Sequence, residues 1–304
     1  MSLIAILGAL ETGLIFGLVA MGIFLSFRVL QFPDLTVDGS FPLGAAVSAV
    51  FIVGGTDPYL ATVFAAVAGA MAGTVTAWLN VRLKILHLLA SILVMIALYS
   101  VNLRVMGRPN VALLGETTVF TPLDSLPIPG YVALPASLFV VVVIAKLLLD
   151  RFLNSEIGLA MRATGANPRM AQAQGINTGL MIMGGMALSN AFVAVAGALF
   201  AQSQGAADVT LGVGVIVVGL AAVIGGEAIV PPKTVFWATL GCIVGSILYR
   251  FAVALALNAD FIGLKAQDLN LITAVLVVLA LVAPGVRNPF KAAIAGNNKR
   301  GCPS

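Results

Sequence analysis

Residues Ser155–Ile176 read SEIGLAMRATGANPRMAQAQGI, a polar run between two long apolar segments. The run is too polar to lie within a bilayer, and its pattern predicts two short helices joined by a turn. Gly165 suits the left-handed residue that ends a helix. Asn167 then caps a second helix, which has Pro168 at its first position and Gly175 just past its end. The stretch therefore predicts a small, rigid, basic knob outside the membrane.

Two interpretations of this knob stay open on spacing alone. At about 1.5 Å per residue the second helix is only ~10 Å long, a shape that fits a groove on a soluble partner. The other interpretation is a solvated loop that connects two membrane helices.

The composition indicates a protein that lies in a bilayer. The 304 residues are 60% hydrophobic and 9% charged, whereas a soluble domain is about 25% charged. The mean hydropathy is +1.09. The net charge of +4 comes from basic residues spread along the chain, which argues against nucleic acid as a partner. Two cysteines and one histidine predict neither a disulfide framework nor a metal site.

The sequence contains no Gly-rich phosphate loop, catalytic triad or glycosidase-like carboxylate pair. We therefore expect a protein that is not an enzyme and needs no cofactor. If ATP drives transport, another chain must hydrolyse it.

Nine segments are predicted to span the membrane, since a span needs about 20 mostly apolar residues. They are 3–27, 36–54, 59–81, 86–106, 133–152, 178–202, 210–227, 234–256 and 269–285. With the N-terminus outside and the C-terminus inside, twelve of the sixteen basic residues fall on the cytoplasmic side, as the positive-inside rule requires. We therefore expect an all-α, polytopic transmembrane bundle at 1–286, a cytoplasmic knob at 155–176 and a short basic cytoplasmic tail at 287–304.

The second of these segments begins irregularly. Residues 32–42 read FPDLTVDGSFP, with a proline near each end and two carboxylates, Asp34 and Asp38. Proline removes backbone donors, and non-helical backbone at membrane depth must be buried in protein or line a cavity. The stretch is either a broken, re-entrant helix on a translocation pathway or a hairpin between two spans.

A similar string returns in the second half, where DVTLG at 208–212 echoes DLTVDG at 34–39. Each string precedes a span rich in small residues, and interrupted segments in matching places of two halves point to a transport pathway near the midplane. Polar groups in apolar surroundings are the candidates for that pathway. They are Asp34, Thr36, Asp38, Ser40, Asp208 and Thr210. The carboxylates of Asp34 and Asp38 either contact the solute or only shape the broken helix.

The knob carries a resemblance to a known family. Its pattern is Glu156-x-Gly158-x-Ala160-x-Arg162-Ala163-x-Gly165-x-Asn167-Pro168. This resembles the cytoplasmic coupling region of bacterial ABC importer permeases, the group that contains branched-chain amino acid, ribose-type sugar and nucleoside permeases. The resemblance implies that these residues couple the permease to its ATPase: Glu156, Arg162, Asn167, Pro168 and Arg169.

The string FPDLTVDGS at 32–40 is similar to a narrower subgroup, the tryptophan/tyrosine-type amino-acid permeases. The resemblance implies a multi-pass protein of the bacterial inner membrane. Its implied partners are two cytoplasmic ABC ATPase subunits, an extracytoplasmic solute-binding protein and a second permease chain, either an identical copy in a homodimer or a similar permease. Sugar permeases carry a different acidic string at this place, so a sugar is the less expected solute.

We therefore expect a non-catalytic permease subunit that imports a small solute, an aromatic or related amino acid, with a nucleoside or sugar as alternatives. An ion-coupled secondary transporter and a membrane scaffold without a solute pathway are the rival classes. Neither rival accounts for a capped two-helix knob in mid-chain.

Overall fold

The chain folds into a bundle of helices that follow the apolar segments. The computed structural model describes residues 3–122 and 130–257, with the isolated positions 275 and 278. The helices are α1 Leu3–Ile23, continued by a π-helical turn Phe24–Val29, α2 Val37–Val53, α3 Pro58–Leu83, α4 His87–Met106, α5 Gly130–Leu153, α6 Glu156–Ala166, α7 Pro168–Ala173, α8 Thr178–Gln204, α9 Val215–Ile229 and α10 Val235–Leu257. Apart from those two positions, the predicted ninth span lies outside the described residues, as does the predicted tail.

Seven described segments are long and apolar enough to cross a membrane. They are Ala5–Val29, Pro58–Leu83, His87–Met106, Val132–Leu153, Thr178–Gln204, Val209–Ile229 and Val235–Ala256. The remaining predicted span in the described chain coincides with α2, which has only 17 residues. At 1.5 Å per residue α2 is about 26 Å long, shorter than the ~30 Å hydrocarbon core. Residues 31–35 before it have no regular structure.

A small sheet departs from the all-α prediction. Strand β1, Asn110–Ala112, pairs antiparallel with strand β2, Ala206–Asp208, and Asn110 lies opposite Asp208. Each strand has three residues, too few to leave an alternating pattern in the sequence. The sheet joins the chain that leaves α4 to the chain that leaves α8, and a 3₁₀ turn, Val209–Gly212, follows it.

The short helix α2 lies within the bundle, packed against α3, α4 and α8. Most of its residues are buried. Small residues let the helices approach closely: a Cβ on Gly44 of α2 would overlap the carbonyl of Ala194 in α8. Such contacts between small residues drive helix association in membranes. Within the described chain, α2 is therefore surrounded by protein on most of its sides.

A buried ion pair within α5 contacts α10. The Nζ of Lys146 lies 2.5 Å from a carboxylate oxygen of Asp150, and the other oxygen accepts a 2.6 Å hydrogen bond from the hydroxyl of Thr239. The Lys146 ammonium also lies 3.6 Å from the ring centroid of Phe236. These contacts give both charges partners inside the bundle, as charges within a membrane require.

Candidate functional site

A buried polar network lies just before α2. Asp34 is only 3% exposed. One of its carboxylate oxygens accepts a 2.9 Å hydrogen bond from the backbone N–H of Thr36, and the other accepts a 2.7 Å bond from Nδ2 of Asn190. The Oδ1 of Asn190 accepts a 2.7 Å bond from the Ser40 hydroxyl. A single amide on α8 therefore connects two of the predicted pathway residues.

Thr36 extends this network to α3. Its hydroxyl lies 2.8 Å from that of Thr76, and both residues are fully buried. Asn190 stands near the middle of the 27-residue α8, so the irregular segment packs against the interior of the bundle. This position favours the broken helix over the alternative of a hairpin outside the membrane. The pathway role of these buried residues stays a prediction.

Asp38 caps a second helix that begins inside the bundle. Its Oδ1 accepts a 2.7 Å hydrogen bond from the backbone N–H of Ile216, and its Oδ2 accepts a 3.4 Å bond from that of Gly214. Both donors belong to the start of α9, whose N-terminus is the positive end of its dipole. The carboxylate is half-buried and therefore stabilises the beginning of α9 while it stands in the first turn of α2.

The second predicted string forms a local turn. One carboxylate oxygen of Asp208 accepts hydrogen bonds from the hydroxyl of Thr210 at 2.6 Å and from its backbone N–H at 2.7 Å. The other oxygen accepts a 3.3 Å bond from Nδ2 of Asn110. The hydrogen bond from the Thr210 hydroxyl does most to hold the pKa of Asp208 below its usual value, and the bonds from the Thr210 N–H and from Asn110 add to it. The carboxylate is therefore ionised at neutral pH. Asp208 therefore fixes the sheet and the turn that follows it.

Residues of both strings line one cavity of about 470 Å³. Asp38 lines it from α2, Thr210 lines it from the 3₁₀ turn, and Tyr99 and Asn102 line it from α4. Asn102 donates a 3.2 Å hydrogen bond to the carbonyl of Gly39, while its buried Oδ1 has no hydrogen-bond partner among the described residues. The predicted echo between the two strings thus corresponds to proximity in space.

The knob has the two helices that the sequence predicts. The Ser155 hydroxyl accepts a 3.3 Å hydrogen bond from the N–H of Gly158 at the start of α6. Oδ1 of Asn167 accepts a 3.1 Å bond from the N–H of Met170 and so caps α7, with Pro168 at its first position. Gly175 lies just past α7 with φ +82°. The predicted caps of α7 are confirmed.

Gly165 has a different role from the predicted one. It does not end α6, which continues to Ala166, and it is not among the described residues with positive φ. A Cβ on Gly165 would overlap the carbonyl of Val29. The glycine is therefore required for close contact between α6 and the π-helical turn of α1, not for a left-handed cap.

The five predicted coupling residues are all exposed on this knob. Three large apolar side chains lie beside them and are also more than half exposed: Ile157 at 57%, Leu159 at 53% and Met170 at 63%. Within the described chain, the buried face of α6 is formed by Gly158, Met161, Thr164 and Gly165. The surface of the knob thus combines apolar and basic groups, as a docking surface for a protein does.

A second cavity lies beside the knob and is basic. Its volume is about 550 Å³, and Arg162, Arg28 and Lys233 line it from α6, the π-helical turn and the α9–α10 connection. Arg28 also forms an ion pair with Glu227, in which its Nε donates a 2.8 Å hydrogen bond. Arg162 therefore faces other cations, while Arg169 is exposed on α7.

Sequence reasoning missed the residues that hold the site together. Asn190, Asn102 and Thr76 lie in largely apolar helices, and a polar residue inside a predicted span was the available signal. The pairing of Arg28 with Glu227 joins positions 199 residues apart. Nothing in either local sequence indicates that partner.

The family model and the sequence relatives agree with a transport role. The family model described as "Branched-chain amino acid transport system / permease component" matches residues 5–282. A tyrosine transport system permease protein of Clostridioides difficile is 36% identical over 283 residues, which cover 93% of this chain and 92% of that protein. A nucleoside ABC transporter permease protein, NupC of Lactococcus lactis, is 27% identical over 73% of each chain. The solved structure of PsaBC from Streptococcus pneumoniae in complex with Fab is 14% identical, with a TM-score of 0.49 over 91% of this chain and 89% of that one.

Proposed function

The chain belongs to the permease components of branched-chain amino acid transport systems, a family of ABC transporter permeases, and we propose that it imports an aromatic amino acid. The observation that supports this choice of solute is the 36% identity, over 93% of the chain, with a permease named for tyrosine transport. A nucleoside is the second candidate, because a nucleoside permease matches 73% of the chain at lower identity. The chain is a multi-pass protein of the inner membrane, and its permease domain extends over 1–286 in this proposal.

The proposed ATPase-binding surface is the α6–α7 knob, which then faces the cytoplasm. Its exposed Arg162 and Arg169 provide charge, and its exposed Ile157, Leu159 and Met170 provide apolar contact area. A permease without a phosphate-binding loop needs partner ATPases, and an importer of this family is served by a binding protein outside. A second copy of the chain completes the pathway in this proposal.

A continuous set of contacts connects the knob with the polar interior. Gly165 of α6 packs against Val29 in the π-helical turn, and Arg28 of the same turn pairs with Glu227 near the end of α9. The start of α9 is capped by Asp38. Because coupling is carried by packed rigid elements, we propose that movement of the knob reaches Asp38 along α1 and α9.

The solute is tested with the complete complex, isolated gently from its native membrane and reconstituted in liposomes. With ATP on the face that bears α6 and α7, we expect saturable uptake of radiolabelled L-tyrosine that excess L-phenylalanine inhibits and uridine does not. Uptake of uridine instead would establish the nucleoside alternative. Uptake by this chain alone, without ATP, would establish a secondary transporter.

The coupling role is tested in the same liposomes with Arg162→Ala and Arg169→Ala. We expect ATP hydrolysis to continue while uptake falls, because the ATPases would lose their charged contacts with the knob. Arg104→Ala is the matched control, since Arg104 is exposed in the last turn of α4, remote from the knob. Unchanged uptake in both knob variants would refute the assignment.

A further inference from the structure

A small cavity in the bundle has walls that match an aromatic amino acid. Its volume is about 160 Å³, and its lining includes Phe16 of α1, Phe41 of α2, Phe200 of α8 and Arg250 of α10. An apolar cavity of about 150 Å³ in another protein holds a benzene molecule. The space is therefore the size of one aromatic ring.

The three phenylalanines form a single aromatic cluster. The ring centroids of Phe41 and Phe200 lie 5.7 Å apart, those of Phe16 and Phe41 lie 5.9 Å apart, and those of Phe16 and Phe200 lie 6.4 Å apart in an edge-to-face arrangement. Aromatic pairs are attractive at these distances beyond the area that they bury. A further ring in the cavity would meet the same favourable geometry.

Arg250 places one positive charge in this wall. Its guanidinium carbon lies 3.8 Å from the ring centroid of Phe16. Its Nε is buried and has no hydrogen-bond acceptor among the described residues, and no carboxylate forms an ion pair with it there. An ionisable residue inside a membrane span that lacks such a partner is by default a candidate for a functional role. The guanidinium fork also has the shape that binds a carboxylate.

The cavity adjoins the two features that the transport proposal uses. Gly214 and Val215, at the start of α9, line it, and Asp38 caps that same start. Val213 lines both this cavity and the larger one between α2 and α4. Val213 is 80% exposed, so the residue that the two cavities share lies at the surface of the described chain.

We propose that this cavity is a binding site for the transported solute within the permease, in which the three phenylalanines contact an aromatic ring and Arg250 binds the α-carboxylate. The inference rests on the proposed import of an aromatic amino acid. The proposed site would make the permease itself selective for solutes in which an aromatic ring and a carboxylate lie close together.

The test is direct binding of 4-fluoro-L-phenylalanine to the full-length permease in nanodiscs, followed by fluorine NMR. The matched probe 4-fluorophenethylamine has the same ring and lacks the carboxylate. In the unmodified protein we expect the amino acid to bind about tenfold or more tightly than the amine, as a charge-assisted contact implies. Arg250→Gln should abolish this difference between the probes, whereas Phe200→Leu should weaken both probes alike.

Two matched variants control for nonspecific effects. Arg104→Gln removes an exposed arginine from another helix, and Phe64→Leu removes a phenylalanine that stacks on Phe51, outside the cluster. Both should bind the probes as the unmodified protein does, and thermal melting shows that each variant is folded. An unchanged preference in Arg250→Gln, or no saturable binding up to the solubility limit of the probe, overturns the site.

The same experiment keeps the site separate from the proposed function. ATP-dependent uptake of L-tyrosine by the unmodified complex tests the function alone. If that uptake occurs and the Arg250 and Phe200 variants match the unmodified permease in binding, the site is wrong and the function stands. If no aromatic amino acid is taken up, the proposed solute fails first.

Discussion

The Oδ1 of Asp38, in the first turn of α2, accepts a 2.7 Å hydrogen bond from the backbone N–H of Ile216, in the first turn of α9. The two helices begin inside the bundle, and a carboxylate in the first turn of α2 caps the start of α9, although 178 residues separate the partners. α2 packs against the sheet, while α9 ends near Arg28 and the knob. Asp38 is therefore one of the points at which the two halves of the chain are joined.

Removing this carboxylate should loosen the start of α9. We expect Asp38→Ala to lower stability by about 1–2 kcal/mol, the usual cost of losing a helix cap, and to reduce import. Asp38→Asn keeps one acceptor oxygen, so it should assemble normally and import more slowly. Thermal unfolding in detergent and uptake in liposomes measure the two effects.

Asp57→Ala is the matched control for that prediction. Asp57 caps α3 by accepting a 2.8 Å hydrogen bond from the N–H of Tyr59, at an exposed position. It should lose stability without any special loss of import. Equal loss of import in Asp57→Ala and Asp38→Ala would contradict the role given to Asp38, as would labelling of Asp38 from the cytoplasm in the resting complex.

Asn190→Ala should be among the most destabilising substitutions in α8. It leaves the buried carboxylate of Asp34 and the Ser40 hydroxyl without their shared partner, at a cost of about 3 kcal/mol. Asn102→Ala removes a buried amide that, among the described residues, bonds only the Gly39 carbonyl, and it should cost about 1 kcal/mol. The difference between the two thermal unfolding curves measures the contribution of the charge.

A second substitution tests the same explanation. Adding Asp34→Asn to Asn190→Ala replaces the stranded carboxylate with a neutral amide, so part of the lost stability should return. Further destabilisation in the double variant would show that the Asp34 charge is not the cause.

Gly165→Ala should separate the knob from α1. The new methyl group would overlap the Val29 carbonyl, and backbone cannot yield as a side chain can. We expect ATP hydrolysis to persist and uptake to fall, with α6 more accessible to protease. Gly184→Ala is the control, because a Cβ there meets nothing within 4 Å; similar behaviour of the two variants would argue against the contact.

The ion pair within α5, which Thr239 of α10 contacts through Asp150, should behave as a structural unit. Lys146→Ala strands the buried Asp150 carboxylate and should cost about 3–5 kcal/mol. Replacing the pair together, Lys146→Met with Asp150→Leu, should cost much less, since no buried charge remains. Arg151→Ala, at the exposed neighbouring position, should leave thermal unfolding unchanged. A double variant as unstable as the single one would show that packing, not charge, holds these helices.

Local signals in the sequence predicted most of what is local in the structure. The helices follow the apolar segments, and Asn167, Pro168 and Gly175 occupy their expected places because caps depend on a few adjacent residues. The predicted role of Gly165 as a helix end was wrong, because a close contact between helices and a left-handed turn both favour glycine. Asn190 could be noticed as a polar residue in a span, but its partners lie far away in the chain. Proximity of that kind arises from packing and leaves no local pattern.

The π-helical turn at the end of α1 has one more consequence. Its hydrogen bonds reach back five residues, as from the N–H of Leu30 to the carbonyl of Leu25 at 3.1 Å, so the turn holds an extra residue compared with an α-helix. The wider turn absorbs that residue, so the chain beyond it keeps its angular position. If the turn wound as a regular α-helix with no change in chain length, everything beyond it would rotate by about 100°. Arg28 would then point away from Glu227, and the surface offered to α6 would change. The extra residue of the π-helical turn therefore sets the angular phase between the knob and the polar interior.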